Sequence, residues 1–228
     1  MEITLLGNST LLLEISGLRI LTDPWWGNFE FLRGVPMAAD PEFLERIDLM
    51  LVSHNHLDHW SKSAIMLARS RGTPVIGSEK AARKASTYRL YKVIVVKPGD
   101  RVDFKGVTIN AVPAFHLFAA DAVGFVVEGE KNIYFSGDTR REPALAEALK
   151  RFRLDVALLQ VSCSAYPLLG KHGMDLEDAA LLAAEVGPSL VIPIHYQARG
   201  KVLQDNELEA WKPEVPVVVL KPGVPIKL

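Results

Sequence analysis

The chain reads as an α/β domain with helices laid over the faces of its sheets, and three features of the sequence predict this. The first third alternates short apolar runs with turn pairs. From Leu49 onward, strand-like runs alternate with helix-like segments. An apolar content of 49% over 228 residues is ample for a buried core. No repeat, low-complexity tract or linker rich in Gly, Ser or Pro divides the sequence, so a single domain over 1–228 is expected.

Taken in order, Glu2–Leu6, Thr10–Ile15 and Leu18–Leu21 are short apolar runs separated by Gly7-Asn8 and Ser16-Gly17, pairs that suit tight turns. Regular periodicity then stops, and Thr22–Asp40 reads as a long loop, a feature that compact domains keep mostly for function. Leu49–Ser53 is a predicted strand, and Ser61–Arg71 has helical composition with a serine at its start. Pro74–Ile76 follows as a short strand and Glu79–Ser86 as a helix. Val93–Val96, Val107–Pro113, Val123–Glu128 and Lys131–Ser136 are predicted strands, the last two joined as a hairpin at Gly129-Glu130. Glu142–Phe152 is a helix that tolerates Pro143 in its first turn. After the strand Asp155–Val161, Asp175–Val186 has strong helix signals: Asp175 as cap, Asp178 at the capping-box spacing, and Gly187-Pro188 as the stop. Leu190–Ile194 and Val215–Leu220 complete the predicted strands.

Whole-chain charge excludes a simple electrostatic partner, because 26 basic residues face 27 acidic ones. Neither nucleic acid nor an anionic membrane is expected. A single cysteine, Cys163, excludes an intramolecular disulfide and any zinc site of the CxxC type. The opening Met1-Glu2-Ile3-Thr4 has no basic stretch ahead of an apolar segment, and no run approaches the ~20 apolar residues of a membrane span. A soluble, cytoplasmic protein is the expectation.

Of six histidines, three lie between positions 54 and 59, in Ser53-His54-Asn55-His56-Leu57-Asp58-His59. Four potential metal ligands therefore follow the apolar strand Leu49–Val52, and imidazole with carboxylate is the donor set that suits zinc, iron or manganese. In an extended or tightly turned segment His54 and His56 project to one side, while Asp58 and His59 turn toward a neighbouring point. One short loop can thus offer two ligands to each of two ions. An isolated histidine is usually a surface or satisfied core residue; the density of this cluster separates it from chance. His116, Asp138 and His195 each follow the end of a predicted apolar strand, where open α/β sheets commonly place their sites.

In that order, the HxHxDH run at 54–59, His116, Gly137-Asp138-Thr139 and Ile194-His195-Tyr196 resemble the metallo-β-lactamase superfamily over nearly the whole chain. Leu5-Leu6-Gly7, Leu11-Leu12-Leu13-Glu14, Ile20-Leu21-Thr22-Asp23-Pro24, Met174 and Glu177-Asp178-Ala179 are similar to its compact metal-dependent hydrolases, related to ascorbate-phosphate lactonases and N-acyl-phosphatidylethanolamine phospholipases. The resemblance implies a four-layer αβ/βα sandwich. It implies that His54, His56 and His116 bind one metal, that Asp58, His59 and His195 bind a second, and that Asp138 bridges them. Asn8 departs from the pattern, since this branch often carries His there.

The implied chemistry is hydrolysis of a small ester, lactone, amide or phosphodiester by a metal-bound hydroxide, with two divalent ions, zinc first and manganese or iron as alternatives. The chain lacks GxSxG, and Cys163 has no evident activating motif, so no side-chain nucleophile is called for. Asp58 or Asp138 is the candidate to orient the attacking hydroxide, and Asp23 and Thr139 to hold ligands in place. His172, in Gly170-Lys171-His172-Gly173-Met174, is a candidate to bind substrate or protonate a leaving group, against the plainer reading of an exposed loop residue. Trp25, Trp26, Phe29 and Phe31 either wall a substrate pocket or pack beneath the loop and into a homo-oligomer contact. Between Arg69 and Lys97 stand eight Lys or Arg and one acid, Glu79, which suits an anionic substrate if it is not merely a solvated helix face. A superfamily nuclease, a mononuclear-iron persulfide oxygenase and a non-catalytic binding protein are the competing readings. The nuclease usually brings an extra RNA-binding arm or domain, and the non-catalytic members commonly lose ligands.

Overall fold

The computed structural model describes residues 1–27, 34, 36–39, 44–163, 165–166, 170–197 and 202–228. The chain opens with β1 (Glu2–Gly7), β2 (Thr10–Ile15) and β3 (Leu18–Thr22), an antiparallel meander turning at the predicted Gly7-Asn8 and Ser16-Gly17 pairs. β4 (Leu49–Val52) runs parallel to β3. α1 (Lys62–Arg71) starts at Ser61, whose side chain accepts the Ala64 N–H, and stops at Gly72 in the left-handed region. β5 (Val75–Gly77), α2 (Glu79–Thr87) and β6 (Val93–Val95) continue the parallel half of the sheet.

The second half opens with β7 (Arg101–Phe104), β8 (Val107–Pro113), β9 (Val123–Glu128) and β10 (Asn132–Phe135), again an antiparallel meander. α3 (Pro143–Leu149) carries Pro143 in its first turn and leads to β11 (Val156–Gln160), parallel to β10. A short pair, β12 (Ala165–Tyr166) and β13 (Gly170–Lys171), precedes α4 (Leu176–Val186), whose cap Asp175 accepts the Asp178 N–H. β14 (Leu190–Ile194), α5 (Asp205–Ala210) and β15 (Ile226–Lys227) close the chain.

Two sheets result, one ordered β15-β1-β2-β3-β4-β5-β6 and the other β14-β11-β10-β9-β8-β7. Strand alternation sorts the apolar side chains. Leu5, Leu11, Leu13, Ile20 and Leu51 share one core with Ile109, Phe125, Val127, Ile133 and Leu158 of the second sheet, and with Leu145, Leu149, Leu182 and Ala183 of α3 and α4. Leu6, Leu12, Leu21, Met50 and Val52 pack instead with Ala64, Ile65, Ala68, Ala81 and Ala85 of α1 and α2. The order helix, sheet, sheet, helix is the expected four-layer αβ/βα sandwich. No helix among the described residues is long and apolar enough to cross a membrane.

Two expectations are corrected. Val215–Leu220 is not a strand: only Val217 forms a bridge, to Val191, because Pro216 has no N–H and serves only as an acceptor for Val191. The sequence reading also passed over the short β12, β13, α5 and β15, and over β7, whose alternating exposed and half-buried residues Arg101-Val102-Asp103-Phe104 place only two apolar side chains inward at a sheet edge.

Strand direction places the site. β3 and β4 are parallel in the first sheet, and β8, β10, β11 and β14 share one direction in the second. The segments that leave the C-terminal ends of β3, β4, β8, β10 and β14 carry Asp23, His54–His59, His116, Asp138 and His195.

Candidate metal centre

The loop after β4 is a turn rather than an extended segment. The His56 carbonyl accepts the N–H groups of His59 (3.2 Å) and Trp60 (2.9 Å). This folding keeps His54 and His56 side by side, with ring centroids 4.5 Å apart, and swings Asp58 and His59 to a second point. Ligand-capable atoms of His54, His56 and His116 all lie within 4.8 Å of one another, as do those of Asp58, His59 and His195. Asp138 stands between the trios, its Oδ2 3.3 Å from His59 Nε2, 3.4 Å from His195 Nε2 and 3.9 Å from His116 Nε2. All seven residues singled out from the sequence as ligands therefore converge.

Which nitrogen of each imidazole is free follows from what holds the other. Buried Asp23 accepts the Ser53 N–H at 2.7 Å, the Ser53 hydroxyl at 2.6 Å and His59 Nδ1–H at 2.7 Å. With its proton committed to Asp23, Ser53 Oγ accepts from His54 Nδ1–H at 2.9 Å. His116 Nδ1–H donates to the His172 carbonyl at 2.6 Å. His54, His59 and His116 thus turn their Nε2 atoms toward the centre, each presenting a lone pair when its ring is neutral. His116 Nε2 lies 3.2 Å from His56 Nδ1, two ring nitrogens aimed at one point. His54 Nε2, His59 Nε2 and Asp138 Oδ1 are buried without a hydrogen-bond partner among the described residues. Such orphaned donors around a common centre fit a cation. Asp23 also groups with His54 and His59, but its oxygens are spent on hydrogen bonds, which makes it the brace behind them.

The electrostatics divide the two trios. Burial, with the neighbouring imidazoles, holds His54 well below the usual histidine range and His56 down to about 4, and burial also lowers His116. For His59 and His195 burial pushes the same way, yet carboxylates outweigh it: Asp138, Asp58 and Asp23 raise His59 well above 6.5, and Asp138 and Asp58 raise His195. Burial works against ionised Asp58 and Asp138, but the surrounding histidines hold both below the carboxylate range. Burial pushes Asp23 up, against the pull of His59 and Ser53.

Backbone strain concentrates here. Asn8, Asp23, Phe118 and His195 are non-glycine residues at φ of 51°, 34°, 70° and 58°, a region that costs most side chains energy and gathers at functional sites. Asn8 holds the His195 N–H through its carbonyl (3.1 Å), and its own N–H donates to Gln197 Oε1 (3.0 Å). Gly137, at φ 54°, lets the Asp138 turn approach Ser53; a Cβ there would sit 2.6 Å from the Ser53 Cβ.

The other candidates fall into place less uniformly. The His172 ring centroid is 5.6 Å from that of His116, so its side chain is beside the centre and its carbonyl orients a candidate ligand. Thr139 acts on backbone: its hydroxyl accepts the Phe115 N–H (2.9 Å), next to His116, and its own N–H donates to Gln160 Oε1 (3.0 Å). Trp25 and Trp26 are buried, and Trp26 packs with Met50, Trp60 and Ile65, which is the packing alternative; Phe29 and Phe31 lie outside the described residues. Cys163 is buried. Of the basic run, Arg69, Arg71 and Arg83 are solvated helix residues, Arg83 pairing with Glu79 at 2.8 Å. Lys80 instead lines a cavity of about 530 Å³ with Ala114, Phe115, His116, Phe118 and Arg140. Ser53, Gln160 and Lys84 were missed. Nothing in their local sequence marks them, because each acts through a partner distant in the chain.

A family model described as "Beta-lactamase superfamily domain" matches residues 18–196. The UPF0173 metal-dependent hydrolase of Thermus thermophilus is 32% identical, covering 100% of this chain and 99% of that protein. That of Methanopyrus kandleri is 30% identical, covering 98% of each. Among solved structures, Igni18, a metallo hydrolase from the archaeon Ignicoccus hospitalis, superposes with a TM-score of 0.80 at 23% identity, over 100% of this chain and 98% of its own. An isothiocyanate hydrolase from Delia radicum gut bacteria gives 0.87 at 22% identity, over 100% and 99%. Those two likenesses are of fold. With a superfamily model spanning most of the sequence and full-length relatives at 30% identity and above, this chain belongs to the β-lactamase superfamily and, within it, to the UPF0173 metal-dependent hydrolase family.

Proposed function

We propose that the chain is a dinuclear metal-dependent hydrolase of a small ester, lactone, amide or phosphodiester. His54, His56 and His116 hold one ion, Asp58, His59 and His195 the other, and Asp138 lies between. The observation that supports it is the convergence of buried His54 Nε2, His59 Nε2 and Asp138 Oδ1 with no hydrogen-bond partner among the described residues, each of which costs roughly 1–3 kcal/mol if left uncompensated. Zinc suits this nitrogen and oxygen donor set, with manganese and iron as alternatives. When bound, two such ions polarise a substrate oxygen and bring the pKa of a shared water toward neutrality.

The remaining roles belong to the chain. Asp58 is the carboxylate of the centre most open to solvent, its side chain 29% exposed against 5% for Asp138, and the imidazoles of His59 and His195 keep it ionised. In this reading it orients the attacking water. His172, beside His116, is placed to contact the substrate or to protonate the leaving group. Lys80 and Arg140 line the cavity that shares His116 as a wall, each beside an acid (Asp121 at 3.7 Å and Glu142 at 3.2 Å), and their position there is what supports a substrate bearing negative charge. The same reading takes 1–228 as one domain, working in the cytoplasm without nucleic acid.

The deciding experiment is elemental analysis of purified protein, followed by ester, lactone, amide and phosphodiester panels with Zn, Mn and Fe. Two ions per chain and turnover are expected. His56→Ala is expected to abolish activity and stoichiometric metal, whereas His172→Ala lowers turnover with metal content intact. Unchanged metal in the His56 variant overturns the ligand assignment. One iron per chain with oxygen consumption, or a metal-replete but inert protein, overturns the hydrolase.

A further inference from the structure

Lysines on helices normally extend into solvent. Lys84, in the middle of α2, is half-buried and directs its Nζ at the carbonyl oxygens of Asn55, at 3.3 Å, and of Trp60. Those carbonyls stand at the two ends of the segment that carries His56, Asp58 and His59. Inside it, the backbone bonds among the described residues run from the N–H groups of His59 and Trp60 to the His56 carbonyl, and the carbonyls at its two ends are met from outside the loop. An ammonium has three N–H donors and no acceptor, and so can serve both carbonyls at once. One helical turn earlier on the same face, the Ala81 carbonyl accepts the indole N–H of fully buried Trp60 at 3.2 Å. α2 itself is anchored, since Asp121 accepts the Lys80 N–H at 2.7 Å. Burial pushes the Lys84 ammonium down, while the Asp58 carboxylate pulls the other way.

We propose that Lys84 is the positioning residue of the metal loop: by tying the Asn55 and Trp60 carbonyls together from α2, it sets the direction in which His56, Asp58 and His59 present their ligand atoms. This role rests on the dinuclear reading above. Because the loop supplies one trio with His56 and the other with Asp58 and His59, loosening it weakens both sites together. Removing a direct ligand such as His116 instead strikes one trio first.

Lys84→Met keeps the stem and removes the donors, and Lys84→Arg restores donors. The full chain is titrated with Zn²⁺ against a competing chelator, and amide exchange at His59 and Trp60 is followed in metal-free protein. Lys84→Met is expected to lose affinity for both ions, roughly 10–100-fold as for other groups that orient ligands. Exchange at those two amides rises while the rest of the chain is unchanged, and Lys84→Arg recovers most of the affinity. Should Lys84→Met fail to fold, Lys84→Gln, which keeps two neutral donors, is compared with Lys84→Arg and must fall below it. Wild-type affinity in Lys84→Met, or a uniform rise in exchange along the chain, overturns this role alone. A wild-type protein that takes up no metal overturns the proposed function with it.

Discussion

Single residues set the protonation of this centre before any ion arrives. Burial and the neighbouring imidazoles lower the pKa values of His54, His56 and His116, whereas Asp138 and Asp58, with Asp23 acting on His59 as well, raise those of His59 and His195 against burial. An imidazole must be neutral to ligate. On the proposed ligand assignment, the first trio binds with little proton release, and binding at the second displaces whatever protons His59 and His195 hold. The sign follows: lowering pH favours the protonated forms of His59 and His195, whose folded pKa values lie above 6.5, and so weakens the second site while pH is still near neutral. His56 resists protonation until pH falls toward about 4. Titration calorimetry in buffers of different ionisation enthalpy is expected to find proton release on binding the second ion and little on the first. Dialysis from pH 8 to pH 6 is expected to strip one ion ahead of the other, and simultaneous loss of both contradicts the assignment.

At the scale of elements, the strand-to-loop junctions carry the site, and their tolerances are tight. Gly137 joins β10 to Asp138 with φ at 54°, and its α-carbon stands where any side chain meets Ser53. Gly137→Ala therefore strains the turn and pushes the hydroxyl that links Asp23 to His54. A loss of about 2 kcal/mol is expected, seen as a melting temperature lower by about 4–8 °C. Metal affinity should fall as well, because the Ser53 relay orients His54. A variant with wild-type stability and affinity would show that the turn yields. Much of this level was legible beforehand. Ser61 and Asp175 are short polar caps, Gly72 and Gly187 end their helices in the left-handed region, and such signals act within a few residues. β7 and the Val215–Leu220 segment were misjudged because an edge strand needs little apolar surface, and because the segment, with Pro216 lacking an N–H, pairs with Val191 alone in a single bridge.

For the whole molecule, the sandwich delivers the candidate ligands from both sheets to one edge. His54, His56, Asp58 and His59 come from the first, and His116, Asp138 and His195 from the second. On the proposed assignment, bound ions would act as clasps between layers that otherwise meet through apolar packing. An ion present at a hundredfold its dissociation constant stabilises the folded state by about 2.7 kcal/mol. Chelation is expected to lower the melting temperature by about 5–10 °C per site emptied. A chelator-independent melting curve contradicts binding across the sheets.

The sequence by itself determined the fold class, the turns and helix ends, and the identity of the seven convergent residues. Those depend on residue type, period and local spacing: His54, His56, Asp58 and His59 are crowded into one short run, and His116, Asp138 and His195 each follow an apolar strand. Tertiary structure decided what those residues face. That Ser53 relays Asp23 to His54, that the His172 carbonyl orients His116, and that Lys84 reaches the metal loop all depend on contacts between distant segments. The same holds for charge. The cluster appears in the sequence as a set of similar histidines. Burial and the placement of Asp58 and Asp138 divide them into a trio whose pKa values are lowered and a pair whose values are raised, because a pKa is set by surroundings that only the fold assembles.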